Sequence, residues 1–410
     1  MHWSKVSSIT LVSLFSTTLL ISLFFSLNSP ATSAVQKAPT LAFLASQRQG
    51  ETVKNSLFTI KANGSARREL TPTLNNVAPN FTWSPNGQRI ASVSEENDIY
   101  VVNVDGSRLT KLFSGNFCKA SNFKLAWLAN NQTLVFTRAC DGSTYDTPGS
   151  ESLYRSDTTG TQGTKLIQTW QIGGIPPKTE ISSWLYLSPD GKQVAFIKDR
   201  EIYKMNTDGS GLTKLTQQPG DYTSGGTQLN WSPDDTQIAF FEGKYPQQQI
   251  YLLNADGTSV SKLTNNPQRV NNSEVLWSPD STRFAYYHTE SGGNQIYLLD
   301  AKGGTPKNLT PQPGQYYGLH WLANGKQLAY FSHQKLYTIN VDDSHSNEKT
   351  LQVAPSELSN VAWSSNNQQV AFTSGNAQKS DLYVMNRQGS GLTKLTNNQD
   401  LGVYVPAWQP

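Results

Sequence analysis

A chain of 410 residues with 33 basic and 30 acidic side chains has room for two or three domains and is close to charge balance. It has no Lys/Arg-rich run or basic stripe, which removes the electrostatic footprint of a nucleic-acid partner. Plentiful Tyr, Trp, Thr, Gly, Asn and Gln without long helical patterns point to an all-β protein.

The first 34 residues differ from the rest. Lys5 supplies a positive n-region, residues 9–27 are apolar apart from Ser and Thr, and Ser29-Pro30 breaks the run. Thr32-Ser33-Ala34 then offers small residues for cleavage. This segment reads as an export signal. The other reading is an uncleaved signal-anchor, because the apolar run is nearly long enough to span a bilayer. Either way the globular part, residues 35–410, is expected in the periplasm or secreted, touching a membrane only through such an anchor.

From Trp83 onward an aromatic followed by a tight turn recurs every 42–46 residues, with one longer interval of 60. The positions are Trp83, Trp127, Leu187, Trp231, Trp277, Trp321, Trp363 and Trp408. Residues 231–264 contain every part of the unit: a strand ending in Trp, the turn Ser-Pro-Asp-Asp, then QIAFF, QIYLLN, an Asp-Gly turn and SKLT. Pro presets φ at the second turn position, and Asn or Asp followed by Gly tolerates the bend. Four short antiparallel strands at this period make one blade of a β-propeller. The Trp and the apolar residue two before it (Leu229, Val275, Leu319, Val361) are expected to pack between neighbouring sheets.

The second-strand signature also occurs eight times but starts earlier, at Leu41-Ala42-Phe43. Residues 41–71 therefore supply three strands of a blade, and residues 405–408 supply the fourth. Sharing strands in this way closes the ring and removes the free edges. Eight blades result; seven or six would require some units to fail as blades. The long interval places its surplus after Cys140, so 141–177, with Tyr145, Trp170 and a Gly-Gly-Ile-Pro-Pro run, reads as an insertion. Cys118 and Cys140 flank a hairpin and are expected to form a disulfide in an oxidising compartment, two free buried thiols being the other reading.

The repeated W-S-P-D-G-x-x-[IV]-A-F, [DQ]-I-Y-[VL]-[ML]-N-x-D-G-[ST] and L-T-[KN] resemble the propeller repeat of TolB-like periplasmic proteins across nearly all of 41–410. The resemblance implies a propeller fold; the expected function is binding of an envelope protein or peptide, by a monomer and without a cofactor. The chain departs from TolB itself in having no α/β domain before the propeller and eight blades where TolB has six. Related repeats occur in prolyl-oligopeptidase-like peptidases and oligogalacturonate lyases.

G-x-S-x-G is absent, so a peptidase reading has no nucleophile. The Asp-Gly turns carry too few oxygen ligands for a calcium loop. A metal-dependent polysaccharide lyase or hydrolase is the alternative to a binding scaffold, and His288, His320 and His333 are its candidate ligands. On the binding reading, residues just before each signature aromatic should face the channel: Lys124, Trp184, Gln228, Glu274, Tyr317 and Asn360. Their mixed charge and hydrogen-bonding capacity suit a peptide or polar chain.

Overall fold

The computed structural model describes residues 38–114, 120–140, 149–158, 164–172, 186–198, 201–217, 228–243, 248–265, 275–290, 292–342, 349–352, 358–376, 379–396 and 402–410. Of residues 49, 120–124, 139–140, 149–151, 164–172, 290 and 349–352 it describes the backbone alone. The strands pair into eight four-stranded antiparallel sheets, the blades of one ring. Blade 5 shows the unit from inside outward: Leu229–Trp231, Gln237–Glu242, Gln249–Asn254 and Val260–Lys262.

Blade 1 is the composite that the offset between the two signatures predicts. Its inner strand is the C-terminal Gly402–Trp408, beside Thr40–Gln49, Thr52–Lys61 and Arg68–Glu69. Leu41 lies opposite Trp408 and Ala45 opposite Val403, so the two chain ends are hydrogen-bonded into one sheet. Blade 3 corrects an expectation. The segment 141–177 contains two of its strands, Gly149–Asp157 and Thr164–Ile172, which pair outward from Thr133–Cys140. Much of the supposed insertion is the outer half of a blade. Cys118 and the Cys140 side chain lie outside the described residues, and so does their expected bridge.

Each sheet is buried on both faces, which explains why the second strands read as continuous apolar runs. In blade 5, Ile238 and Phe240 pack toward blade 4, while Ala239 and Phe241 pack toward blade 6. Eight such apolar clusters sit one at each junction between neighbours. Each fully buried Phe stabilises by about 1.5–3 kcal/mol, so these clusters carry most of the cohesion between blades. Leu229, Val275 and Leu319 are buried in them and Val361 packs against one, as the pattern requires.

Polar groups set the register of one blade on the next. In the Ser-Pro-Asp turns the Ser278 hydroxyl donates to Asp280 at 2.6 Å and accepts the Arg283 N–H at 3.0 Å. Bonds from Ser278 and then Thr282 hold the Asp280 carboxyl below its ordinary range, so the turn is pinned by an ionised acceptor. The signature tryptophans reach further. The indole N–H of Trp231 donates to Tyr186 C=O, Trp277 to Asn230, Trp321 to Leu276 and Trp408 to Ala362, each at 2.9 Å. Trp83 donates to Ala407 and Trp127 to Thr82, each at 3.2 Å. In every case the acceptor is the residue just before the signature position of the preceding blade. Six junctions are locked this way.

Two junctions are not. Blade 4 carries Leu187 at the signature position, which has no N–H to give. Blade 8 has Trp363, but its buried Nε1 has no hydrogen-bond partner among the described residues. Replacing Trp231 by Phe is therefore expected to destabilise the protein by about 1 kcal/mol more than the same change at Trp363, where no bond is lost. Urea unfolding of the two variants checks this through their midpoints.

Candidate functional site

The blade topology divides the ring into two faces. The Ser-Pro-Asp turns and the Asp-Gly turns lie on one, the turn face. Connections from second to third strands, and from each outer strand to the next inner strand, lie on the other, the loop face. The turn face is committed to structure: Asp208, for example, accepts both the N–H and the hydroxyl of Ser210, which hold its carboxyl below the ordinary range.

The proposed channel-facing residues begin inner strands at the loop face. Gln228 immediately precedes Leu229–Trp231 and is half-buried. Tyr317 starts Tyr317–Trp321 and stacks on Phe331 at 6.0 Å, with burial pushing its phenol upward. Asn360 is exposed, in the left-handed region (φ 48°), and donates to Thr373 Oγ1 at 3.0 Å. Gly318 (φ 62°) and Val405 (φ 48°) occupy the equivalent place three residues before Trp321 and Trp408. A bulge thus turns the inner strand at the rim in three blades. Lys124 lies on Ala120–Trp127 with only its backbone described; Trp184 and Glu274 lie outside the described residues.

The three histidines are not brought together. His288 is buried on its strand with its ring edge-on to Tyr297 at 5.1 Å. His333 is exposed in the two-residue turn after Ser332 and accepts or shares a bond with the Ser332 hydroxyl at 2.9 Å. His320 lies at the other end of its strand, beside Trp321 and the turn face. Its ring stacks on Trp363 of blade 8 at 5.2 Å and 5°, and its Nε2 bonds Asn367 Oδ1. Burial first, against the Asn367 bond, pushes its imidazole below the ordinary value. Three residues separate the two ends of an inner strand by about 10 Å, which keeps His320 away from the loop face. Among the described residues no three His, Cys, Asp or Glu side chains could share a metal.

A feature not singled out in the sequence lies between blades 1 and 2. The connection after Thr71 and the turn after Ser94 enclose a cleft of about 150 Å³ on the loop face, lined by Thr73, Asn75, Asn76, Glu95, Glu96 and Tyr100 among others. The connection is pinned from both sides. Asn76 Oδ1 accepts the Asn55 N–H at 2.7 Å, Pro72 C=O accepts Lys54 Nζ at 2.8 Å, and Asn76 C=O accepts the Glu95 N–H at 3.2 Å. Lys54 and Asn55 come from the blade 1 hairpin, whose strands have ten residues each, against six in the matching hairpin of blade 5.

The nearby cations are already engaged. Lys54 also pairs with Glu69, and Lys111 pairs with buried Asp98, which accepts from Tyr100 Oη at 3.3 Å as well. Burial raises the Tyr100 phenol, with the Lys111 ammonium opposing it. Glu95 and Glu96 are exposed at the mouth. The lining is therefore rich in acceptors and suits a donor-rich group such as an ammonium, a guanidinium or a row of peptide N–H groups. An anionic group would meet repulsion.

With eight blades and this geometry in hand, comparison with known proteins is direct. Residues 225–410 match the family described as the TolB beta propeller domain. The match spans blades 5 to 8 and the closing strand of blade 1. Among solved structures, the ring is similar to a dihydro-heme d1 dehydrogenase at 12% identity, over 89% of this chain and 74% of that one, with a TM-score of 0.60. It is similar to dipeptidyl peptidase 4 from Porphyromonas gingivalis at 15% identity over 78% of this chain, with a TM-score of 0.57. The chain spans about half, 53%, of that peptidase's length. An oligogalacturonate lyase in complex with manganese matches at 16% identity, over 85% of this chain and 97% of that one, with a TM-score of 0.54. At these identities the likenesses establish the fold and leave chemistry to the site.

No helix among the described residues is long and apolar enough to cross a membrane. The setting of His333 gives a test of its role. His333 and Gln334 both have positive φ, 46° and 63°, in a tight hairpin where Asn-Gly is the favoured pair. Changing His333→Asn together with Gln334→Gly is expected to stabilise by roughly 1 kcal/mol, since left-handed backbone costs an ordinary residue about that much. Thermal unfolding of the double variant measures it, and a fall in Tm would mean that the side chains contribute more than the turn.

Proposed function

We propose that this protein is an exported TolB-type propeller that acts as a non-catalytic scaffold for a protein or peptide in the cell envelope, docking it on the loop face. The observation that carries this reading is the cleft between blades 1 and 2, lined by Asn75, Asn76, Glu95 and Glu96, beside which Lys54 and Lys111 are already paired. Tyr317 and Asn360, at the rim of the channel on the same face, extend the hydrogen-bonding surface inward. The N-terminal segment with Lys5 and the apolar run supports export, and the TolB-type repeat supports an envelope setting. The chain is taken to work as a monomer and without a cofactor.

A metal-dependent lyase or hydrolase would need His288, His320 and His333 at one centre, and their separate settings give that reading no support. The test is site-specific photocrosslinking in cells. A crosslinker at Asn75 should yield a discrete protein adduct, and one at Gln88 on the turn face should not. Glu95→Gln with Glu96→Gln should weaken binding of the captured partner roughly fivefold, with less salt dependence than the unchanged protein. Equal adducts from both faces, or a tightly bound stoichiometric metal on the purified protein, would contradict the scaffold reading.

A further inference from the structure

The pattern of indole locks divides the ring unevenly. Going round it, Trp231, Trp277 and Trp321 join blades 4, 5, 6 and 7 in one series. Trp408, Trp83 and Trp127 join blades 8, 1, 2 and 3 in another. The two junctions without a lock, between blades 3 and 4 and between blades 7 and 8, are diametrically opposite in an eight-membered ring. Other hydrogen bonds among the described residues reinforce the locked junctions. Within the halves, Asp190 N–H donates to Asp235, Asp234 N–H to Ser281, Asn86 N–H to Asn131, and Gln409 Nε2 to Gly87 C=O.

The junction between blades 7 and 8 has a substitute for the missing lock. At the locked junctions the backbone carbonyl before the signature aromatic accepts the indole, whereas blade 7 places the His320 ring flat against Trp363. Its Nε2 is tied to Asn367 in the turn of blade 8. A backbone lock is indifferent to pH, and an imidazole is not. The equivalent residues in the other blades are Thr82, Ala126, Tyr186, Asn230, Leu276, Ala362 and Ala407, so this junction alone carries a group that titrates near neutrality.

We propose that the propeller is two locked half-rings of four blades hinged at these opposite junctions, and that protonation of His320 loosens the junction between blades 7 and 8. Among the described residues, the groups against His320 are the Trp363 indole and the Asn367 amide. A proton therefore adds a buried charge with no anionic partner and a new Nδ1–H donor; cation–π attraction to Trp363 offsets only part of that cost. The sign follows from the depressed folded value. The junction is intact above about 6.5, the unfolded imidazole value, and weakens as pH falls from there through the lower folded value. The same two inner strands carry Tyr317 and Asn360 at their loop-face ends, so opening the hinge would move the rim. That consequence rests on the binding reading; the hinge does not.

The test uses the full ligand-free protein, so it stands whether or not the scaffold reading does. Histidine labelled with ¹³C at Cε1 should show one resonance, lost in His320→Gln, that titrates with a midpoint below 6.5. Hydrogen exchange corrected for intrinsic rates should show Tyr317–Trp321 and Leu358–Trp363 losing protection on acidification, on the order of tenfold per pH unit in the window. Leu229–Trp231, inside a locked half, should keep its protection. In His320→Gln the acid-dependent loss should vanish. A His320 midpoint at or above 6.5, equal loss of protection in Leu229–Trp231, or the same loss in the variant would overturn the proposal. If His320→Gln fails to fold, the midpoint in the unchanged protein and the contrast between strands still decide it.

Discussion

One hydrogen bond, repeated, sets how the blades of this protein meet: a tryptophan indole N–H given to the carbonyl just before the signature position of the preceding blade. It joins two features of the same short sequence pattern, so each repeat carries both the donor and the acceptor. Apolar packing between sheets contributes far more free energy, but packing alone is tolerant of small slips. The indole bond is directional, and it fixes where each turn sits against its neighbour. Closing the ring then needs only that the last strand supply the pair for the first blade. Trp408 does this twice over, by pairing with Leu41 in blade 1 and by donating to Ala362 in blade 8.

The division of labour between the two faces follows from the same repeat. Turns that build the ring must be nearly alike, because each contacts the next, and their side chains are consumed by Ser–Asp and Asp–Ser bonds. Connections on the opposite face are free to vary in length and chemistry. The cleft between blades 1 and 2 is a product of that freedom: a connection pinned by the blade 1 hairpin on one side and a short acidic turn on the other.

Much of this was legible in the residues. The period, the turn chemistry and the offset between the two signatures fixed eight blades and the composite closure, because each depends on local sequence. Blade 3 was misread. Its third strand reads Ser152-Leu153-Tyr154-Arg155, with no Asp-Gly turn after it, so the outer pair looked like an insertion. The histidines were misjudged for a different reason: which end of a strand a residue occupies depends on pairing register, and His320 pairs with Ala329 rather than near His333. The cleft was invisible because its walls come from segments twenty residues apart whose approach depends on the blade 1 hairpin. The missing lock at Trp363 was equally hidden, since the donor is present and only the placement of His320 shows that it is unused.

Strand sharing closes the ring, and removal of the C-terminal strand tests this most directly. A chain ending at residue 401 loses the partner of Leu41 and Ala45, the Trp408 lock and the apolar seal of blade 1 against blade 8. Its urea unfolding should lose the single cooperative transition, and it should bind a hydrophobic dye at zero denaturant. A truncated chain that unfolds in one transition at an unchanged midpoint would contradict the closure on which the rest is built.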